Sequence, residues 1–259
     1  MDFLSAHTVR SAIGPRDSMQ DNVLAQSSPP FLVIADGVGS YEESDQAALL
    51  AVDTFASWAQ NPGPDIAEGL LALPDRVAAR IRQARIGFAA TTLAGAILHE
   101  SGSLWLTNVG DSVIAALTAD TVLFVSREHQ IAAYTRMIGS PDPVNLARGN
   151  VLTRAVSAGD RIRTPDVSVI RIHEPTIVVA ATDGITGRVT LEQIHEDIFT
   201  DGPPPAELEH LETWLNTKAD HIMAHAVAKT LFDNATLGLL AIVPTGLDLP
   251  RHQLKEHDL

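Results

Sequence analysis

The stretch "FLVIADGVGS", Phe31 to Ser40, decides how this chain is read. An apolar run goes straight into an Asp-Gly pair, and small residues follow. A strand built for burial is a costly place for a carboxylate, because an unpaired buried carboxylate is strongly disfavoured. Asp36 must therefore be paired, sit at a rim, or hold a metal ion.

The pattern recurs along the chain. Asp183 follows "TIVVAAT", Asp233 immediately precedes "NATLGLLAIV", Asp21 stands before "NVLA", and Asp111 lies in the turn "VGDSV". Most have a small or amide neighbour: Gly37, Gly184, Asn234, Asn22. Taken singly, each is an ordinary turn residue after a strand. Taken together, they predict strand ends converging at one rim of a sandwich, where carboxylates repel one another unless cations neutralise them. All-oxygen ligation suits Mg2+ or Mn2+. Two such ions sharing a carboxylate can activate a bridging water and clamp a phosphoryl oxygen, which is the chemistry of phosphoester hydrolysis.

The surrounding pattern supports a sandwich. "NVLAQ" and "FLVIA", separated by "SSPP", predict two adjacent strands. "YEESDQAALLAVDTFASWAQ" changes to helical period, with Ala47, Leu50, Ala51, Thr54, Phe55 and Trp58 on one face, and "NPGPD" ends it. A second helix is predicted over Asp75 to Arg85, whose arginines form a solvated face. "TTLAGAIL", "SLWLTNVG", "SVIAALT" and "TVLFVS" predict an antiparallel meander. Residues 127–165 read as irregular, with "GSPDPVNLARGN" a surface excursion. Two strands follow in "DVSVIRIHEPTIVVAATDG", then helices from Thr190 to Lys229 broken by "DGPPPAE", then a last strand. Strands in runs and helices in pairs predict an α+β fold: two mainly antiparallel sheets packed as a β-sandwich, flanked by helices on both outer faces, as one domain over residues 1–259.

Composition narrows the function classes. Eighteen Lys and Arg against 32 Asp and Glu give a formal charge of -14, which argues against nucleic acid or an anionic membrane as partner. No cysteine is present, so thiolate metal sites, disulfides and a Cys nucleophile are excluded. The start "MDFLSAHTVRSAIG" lacks a signal-peptide pattern, and no apolar run approaches the ~18 residues of a membrane span, so the expectation is a cytoplasmic protein without membrane insertion. His7, His99, His129, His173 and His195 lack metal-like spacing. His221 and His225 in "HIMAH" have the i,i+4 spacing of zinc sites but no accompanying Glu of an HExxH motif.

In order along the chain, "RDSMQD", "VIADGVGS", "TTLAGAIL", "LTNVGDSV", "NVLTRAVSAGD", "VAATDGITG" and "DNATLGLLAI" resemble the metal-dependent Ser/Thr protein phosphatases of type 2C (PPM), over residues 16–242. The resemblance implies a PPM-like αββα sandwich of the bacterial minimal type. It implies a pair of Mn2+ or Mg2+ ions and a bridging water as nucleophile, without a covalent phosphoenzyme. By residue, Asp36 resembles the carboxylate bridging the two ions, with the Gly37 carbonyl on one of them. Asp183 and Asp233 resemble ligands of the other, and Asp21 acts through waters. Arg16 matches the arginine that grips the substrate phosphate, a role suited to its donor fork. Residues 127–165 resemble the family's flap. The implied partners are phosphoserine and phosphothreonine proteins and an opposing kinase, with the chain acting as a monomer.

Four departures stand out. Met19 replaces the usual Asn after the phosphate arginine, Val38 stands where many eukaryotic members carry His, and Val113 replaces the basic residue after "GDS". Gly187 replaces an acid that with Asp111 helps hold a third metal, so the third ion is expected to be weak or absent. These departures motivate the alternative of a pseudophosphatase that binds phosphoproteins without turnover. A kinase-like phosphate loop is a further alternative, but it lacks a recognisable adenosine pocket.

Overall fold

A computed structural model describes residues 2–39, 43–87, 89–138, 151–159 and 163–245. One sheet contains, in spatial order, β1 (Phe3–Ala12), β12 (Ala235–Pro244), β11 (Thr176–Ala181), β7 (Val113–Leu117) and β8 (Val122–Val125). The other contains β10 (Asp166–Arg171), β6 (Ser103–Val109), β5 (Leu93–Leu98), β3 (Pro30–Asp36) and β2 (Asp21–Ser27). Every pairing within them is antiparallel. A two-residue ribbon joins β4 (Ala90–Thr91) to β9 (Val156–Ser157).

The continuous apolar runs follow from burial on both faces of each sheet. In β3, Phe31, Val33 and Ala35 face α1 (Ser44–Ala59) and α2 (Ile66–Gln83), while Leu32 and Ile34 face the opposite sheet. In β12, Leu237, Leu239, Ala241 and Val243 face α4 (Leu191–Phe199) and α5 (Leu208–Ala228), while Leu240 and Ile242 turn inward. Period-2 alternation sorts side chains between two cores here, instead of between core and water. The expected αββα layering is what the structure shows.

Three local expectations change. The second helix begins at Ile66, not Asp75: Asp65 caps it by accepting from the Glu68 N–H at 2.9 Å. Pro74 sits inside it, because Ile66, Leu70, Leu73, Val77 and Ile81 bury one unbroken stripe that outweighs the lost backbone bond. The predicted meander is divided: β5 and β6 pair in one sheet, and the chain then crosses to place β7 and β8 in the other. Gly110, with φ of +109°, permits that abrupt crossing. Residues 127–165 are not wholly irregular, since Ile131–Ile138 forms α3 and β9 pairs with β4. The stretch "GSPDPVNLARGN" lies outside the described residues. Among the described residues, no helix is long and apolar enough to cross a membrane.

Leu32 fills the space over Gly238, where an added Cβ would lie 2.5 Å from its methyl. Leu32→Ala is expected to lower unfolding free energy by about 3 kcal/mol in urea titration. Leu123→Ala on the exposed edge strand β8 is expected to change it by less than about 0.5 kcal/mol.

Candidate metal centre

Antiparallel pairing brings the acidic strand ends to one rim. Asp21 at the start of β2 lies directly opposite Asp36 at the end of β3. In the other sheet, Ala181 at the end of β11 lies opposite both Leu237 of β12 and Val113 of β7. Asp183, Asp233 and Asp111 therefore lie just past the same end of three adjacent strands. The two rims are stitched by Thr182, whose hydroxyl donates to Asp21 Oδ2 at 2.9 Å and accepts from the Thr236 N–H at 3.0 Å. The structure thus brings the sequence-predicted carboxylates together.

Neutral groups fix the backbone on which these acids stand. The Asp36 N–H donates to Thr92 Oγ1 at 2.8 Å, and its carbonyl accepts from the Thr92 N–H at 2.8 Å and from Thr91 Oγ1 at 3.0 Å. Thr92 Oγ1 is in turn 2.7 Å from Ser112 Oγ, beside Asp111. At Gly37 an added Cβ would lie 2.6 Å from the Ser44 carbonyl oxygen, so only glycine lets the start of α1 close over the rim. Gly184 is tighter still, since its Cβ would lie 1.9 Å from the Asn234 carbonyl oxygen. Any side chain there would push Asp183 away from the segment carrying Asp233.

Arg16 reaches the rim from the connection between β1 and β2, and its Nη2 donates to Asp233 Oδ2. Buried Asn234 shapes that connection: Oδ1 accepts from the Gln20 N–H at 2.8 Å, and Nδ2 donates to the carbonyls of Ile13 at 2.7 Å and Ser18 at 3.0 Å. Sequence reasoning noticed Asn234 only as a neighbour of Asp233; its one signal was an amide, which carries donors and an acceptor together. Thr182, Thr92 and Gln130 were missed. Gln130 Nε2 donates to Asp111 Oδ2 at 2.6 Å. Val113, one of the departures, is buried in the core beneath the helices, where a basic side chain has no water. His221 and His225 engage Asp197 at 3.6 and 3.0 Å on the outer helices, away from the rim.

The electrostatics of the rim are those of a site awaiting positive charge. Burial, then neighbouring Asp111, Asp233 and Asp21, push the Asp183 carboxyl up to about 7. Burial pushes Asp21 up to about 6 against the pull of its Thr236 and Thr182 hydrogen bonds. Burial and the charges of Asp21 and Asp183 raise Asp36 well above the ordinary carboxylate range. Asp111 is also raised, mainly by burial and against the Gln130 hydrogen bond. No donor reaches Asp21 Oδ1 or Asp183 Oδ1 among the described residues.

These orphaned, all-oxygen donors fit hard divalent cations. Among the described residues no three acidic or His side chains close on one point as a complete cage. Mg2+-sized ions ordinarily draw on one or two carboxylates and keep several waters.

An αββα sandwich whose rim gathers carboxylates around an arginine fits the class of metal-dependent phosphomonoesterases. The chain belongs to the protein phosphatase 2C family, whose model matches residues 10–220. It is 24% identical over 227 residues to the serine/threonine phosphatase stp of Listeria innocua, covering 82% of this chain and 84% of that protein. Among solved structures, the catalytic domain of the serine threonine protein phosphatase PstP in complex with 2 manganese ions superposes with a TM-score of 0.75. That match has 20% identity and covers 94% of this chain and all of that one. Stp1 from Staphylococcus aureus superposes with a TM-score of 0.72 at 18% identity, over 93% and 96% of the two chains.

The raised carboxyls have a consequence for the metal-free chain. A group whose folded pKa exceeds its unfolded value contributes stability present below the unfolded pKa and lost as pH rises through the folded one. For Asp183 that window runs from the ordinary carboxylate range to about 7. In EDTA at pH 8, Asp183→Asn is therefore expected to be more stable than the wild type, by on the order of 2 kcal/mol. The gap should close at pH 4, as measured by urea unfolding.

Proposed function

We propose that this chain is a Mn2+- or Mg2+-dependent protein phosphatase acting on phosphoserine and phosphothreonine. The observation that carries the reading is the convergence of Asp21, Asp36, Asp183 and Asp233 on one rim with Arg16 among them and carboxylate oxygens left without donors. In this reading Asp36, the Gly37 carbonyl, Asp183 and Asp233 would hold the two ions directly, and Asp21 would act through water. When bound, the two ions supply the water nucleophile at neutral pH and neutralise phosphoryl charge.

The chain's own residues supply binding and position. Arg16 commits one nitrogen to Asp233 and keeps further donors of its fork for phosphate oxygens. Asn234 holds the Arg16 segment, and Thr91, Thr92 and Thr182 hold the carboxylates in register. The absence of cysteine excludes a cysteinyl phosphoenzyme, and with water as the proposed nucleophile the hydrolysis is direct. A single catalytic domain, working as a cytoplasmic monomer opposite a Ser/Thr kinase, completes the proposal. Asp111 is kept at the rim without an acid at position 187, so a third ion is weak or absent.

Asp36→Asn and Asp183→Asn are each expected to reduce Mn2+-stimulated hydrolysis of a phosphothreonine peptide by about a hundredfold or more while remaining folded. Arg16→Lys, which keeps the charge but loses the fork, is expected to raise KM by about tenfold with a smaller change in kcat. A wild-type chain that binds Mn2+ in calorimetry yet hydrolyses neither the peptide nor p-nitrophenyl phosphate would be a binding module, and the catalytic reading would fall.

A further inference from the structure

Among the described residues, Asp111 is the one rim carboxylate met by a neutral side-chain donor from the flap. The donor, Gln130, immediately precedes α3, and the chain around it is clasped to the turn that carries Asp111. The His129 N–H donates to the Gly110 carbonyl at 2.9 Å, and the Gly110 N–H donates to His129 Nδ1 at 3.1 Å. His129 Nε2 then faces Asp166 at 3.2 Å, and Asp166 is braced by Arg154 at 2.7 Å. Because Nδ1 accepts, Nε2 carries the proton, and the ring is fixed at both nitrogens. Gln130 is thus delivered to Asp111 by a rigid support, and its amide reaches Oδ2 at 2.6 Å.

Position 187, where the resemblance expects a second acid beside Asp111, carries glycine. At Gly187 an added Cβ would lie 2.7 Å from the Phe232 ring and 2.8 Å from the Asp183 carbonyl oxygen. That ring is covered in turn by the Arg188 guanidinium, 4.6 Å from its centre. A side chain at position 187 would therefore meet an aromatic ring and the Asp183 backbone before anything else.

We propose that Gln130 is a positioning residue whose amide takes the place of a third cation at Asp111 and so pins α3 to the metal rim without an ion. This deepens the two-ion phosphatase reading and rests on it. Where an acid in place of Gln130 would tie flap to rim only in the presence of metal, the amide ties them in all conditions. The flap helix, which exposes Tyr134 and Met137, is then held over the rim whether or not the ions are loaded.

Hydrogen exchange of amides 131–138, read on the full chain in EDTA and in millimolar Mn2+, tests this. In the wild type, protection is expected to agree between the two conditions within about twofold. Gln130→Met, similar in length but without the donor, should lose protection by about tenfold in both, the loss expected for one charge-assisted hydrogen bond. Gln130→Glu should lose it in EDTA through repulsion from Asp111 and regain it in Mn2+, with bound Mn2+ counted by electron paramagnetic resonance rising from two ions to three. A filler with a merely structural role would not give that metal-dependent recovery. A wild type that binds three ions, unchanged protection in Gln130→Met, or a Gln130→Glu chain insensitive to Mn2+ would each overturn the proposal. Wild-type hydrolysis is scored separately. An inactive wild type that binds two ions sinks the phosphatase reading and leaves the latch standing, whereas an active one with a failed latch sinks only the latch.

Discussion

Mutual repulsion among carboxylates that antiparallel pairing forces to one rim is the constraint on which the rest of this structure depends. Asp21 and Asp36 face each other across β2 and β3, and Asp111, Asp183 and Asp233 end three neighbouring strands of the other sheet. Burial removes the water that would screen them, which is why their protons are held above the ordinary range. A rim of this kind persists only if the scaffold beneath resists relaxation. Three layers of fully buried aliphatic side chains, one between the sheets and one under each helical layer, provide that resistance. Stability of the core is thus set against instability of the site, a common arrangement where function needs a strained constellation.

The groups that hold the rim together are mostly uncharged. Thr91, Thr92, Thr182, Ser112 and Asn234 fix backbone and carboxylate positions through hydroxyl and amide bonds. Lysines in these places would neutralise the acids and compete with any cation for them. Hydroxyls and amides position without that competition, and they leave Asp21 Oδ1 and Asp183 Oδ1 open. Arg16 is the exception, paired with Asp233, and on the proposed reading its remaining donors serve a phosphate.

Much of this was legible in the sequence, for identifiable reasons. Strand-ending Asp-Gly pairs are local signals, and the αββα layering followed from strands in runs and helices in pairs. The order of the motifs then led to the family. What was not legible depends on closure of the chain over long separations. Asn234 meets Ile13 and Gln20 more than 200 positions away, and no local pattern announces that. The second helix was predicted only from Asp75, yet it begins at Ile66 and contains Pro74, because tertiary burial of the α2 stripe prevails over local propensity. The meander divides because Gly110 allows a crossing that a strand-by-strand pattern does not encode. Gly37 was read through its carbonyl, whereas the structure adds a packing reason, the approach of α1 over it.

The same charges set an order of events on the proposed reading. A phosphate dianion approaching a rim of carboxylates is repelled, and the guanidinium meant to meet it is already paired with Asp233. The chain's overall charge of -14 extends that repulsion beyond the rim but is screened within about 10 Å at ordinary ionic strength. Cations reverse the local sign. With the carboxylates neutralised, the phosphate would no longer be repelled from the donors that Arg16 keeps beyond its bond to Asp233. Metal loading then governs substrate binding as well as chemistry. A chain with these residues should lose affinity for phosphorylated peptide along with turnover when its ions are withdrawn, because the rim that attracts the ions is the same rim that excludes the phosphate.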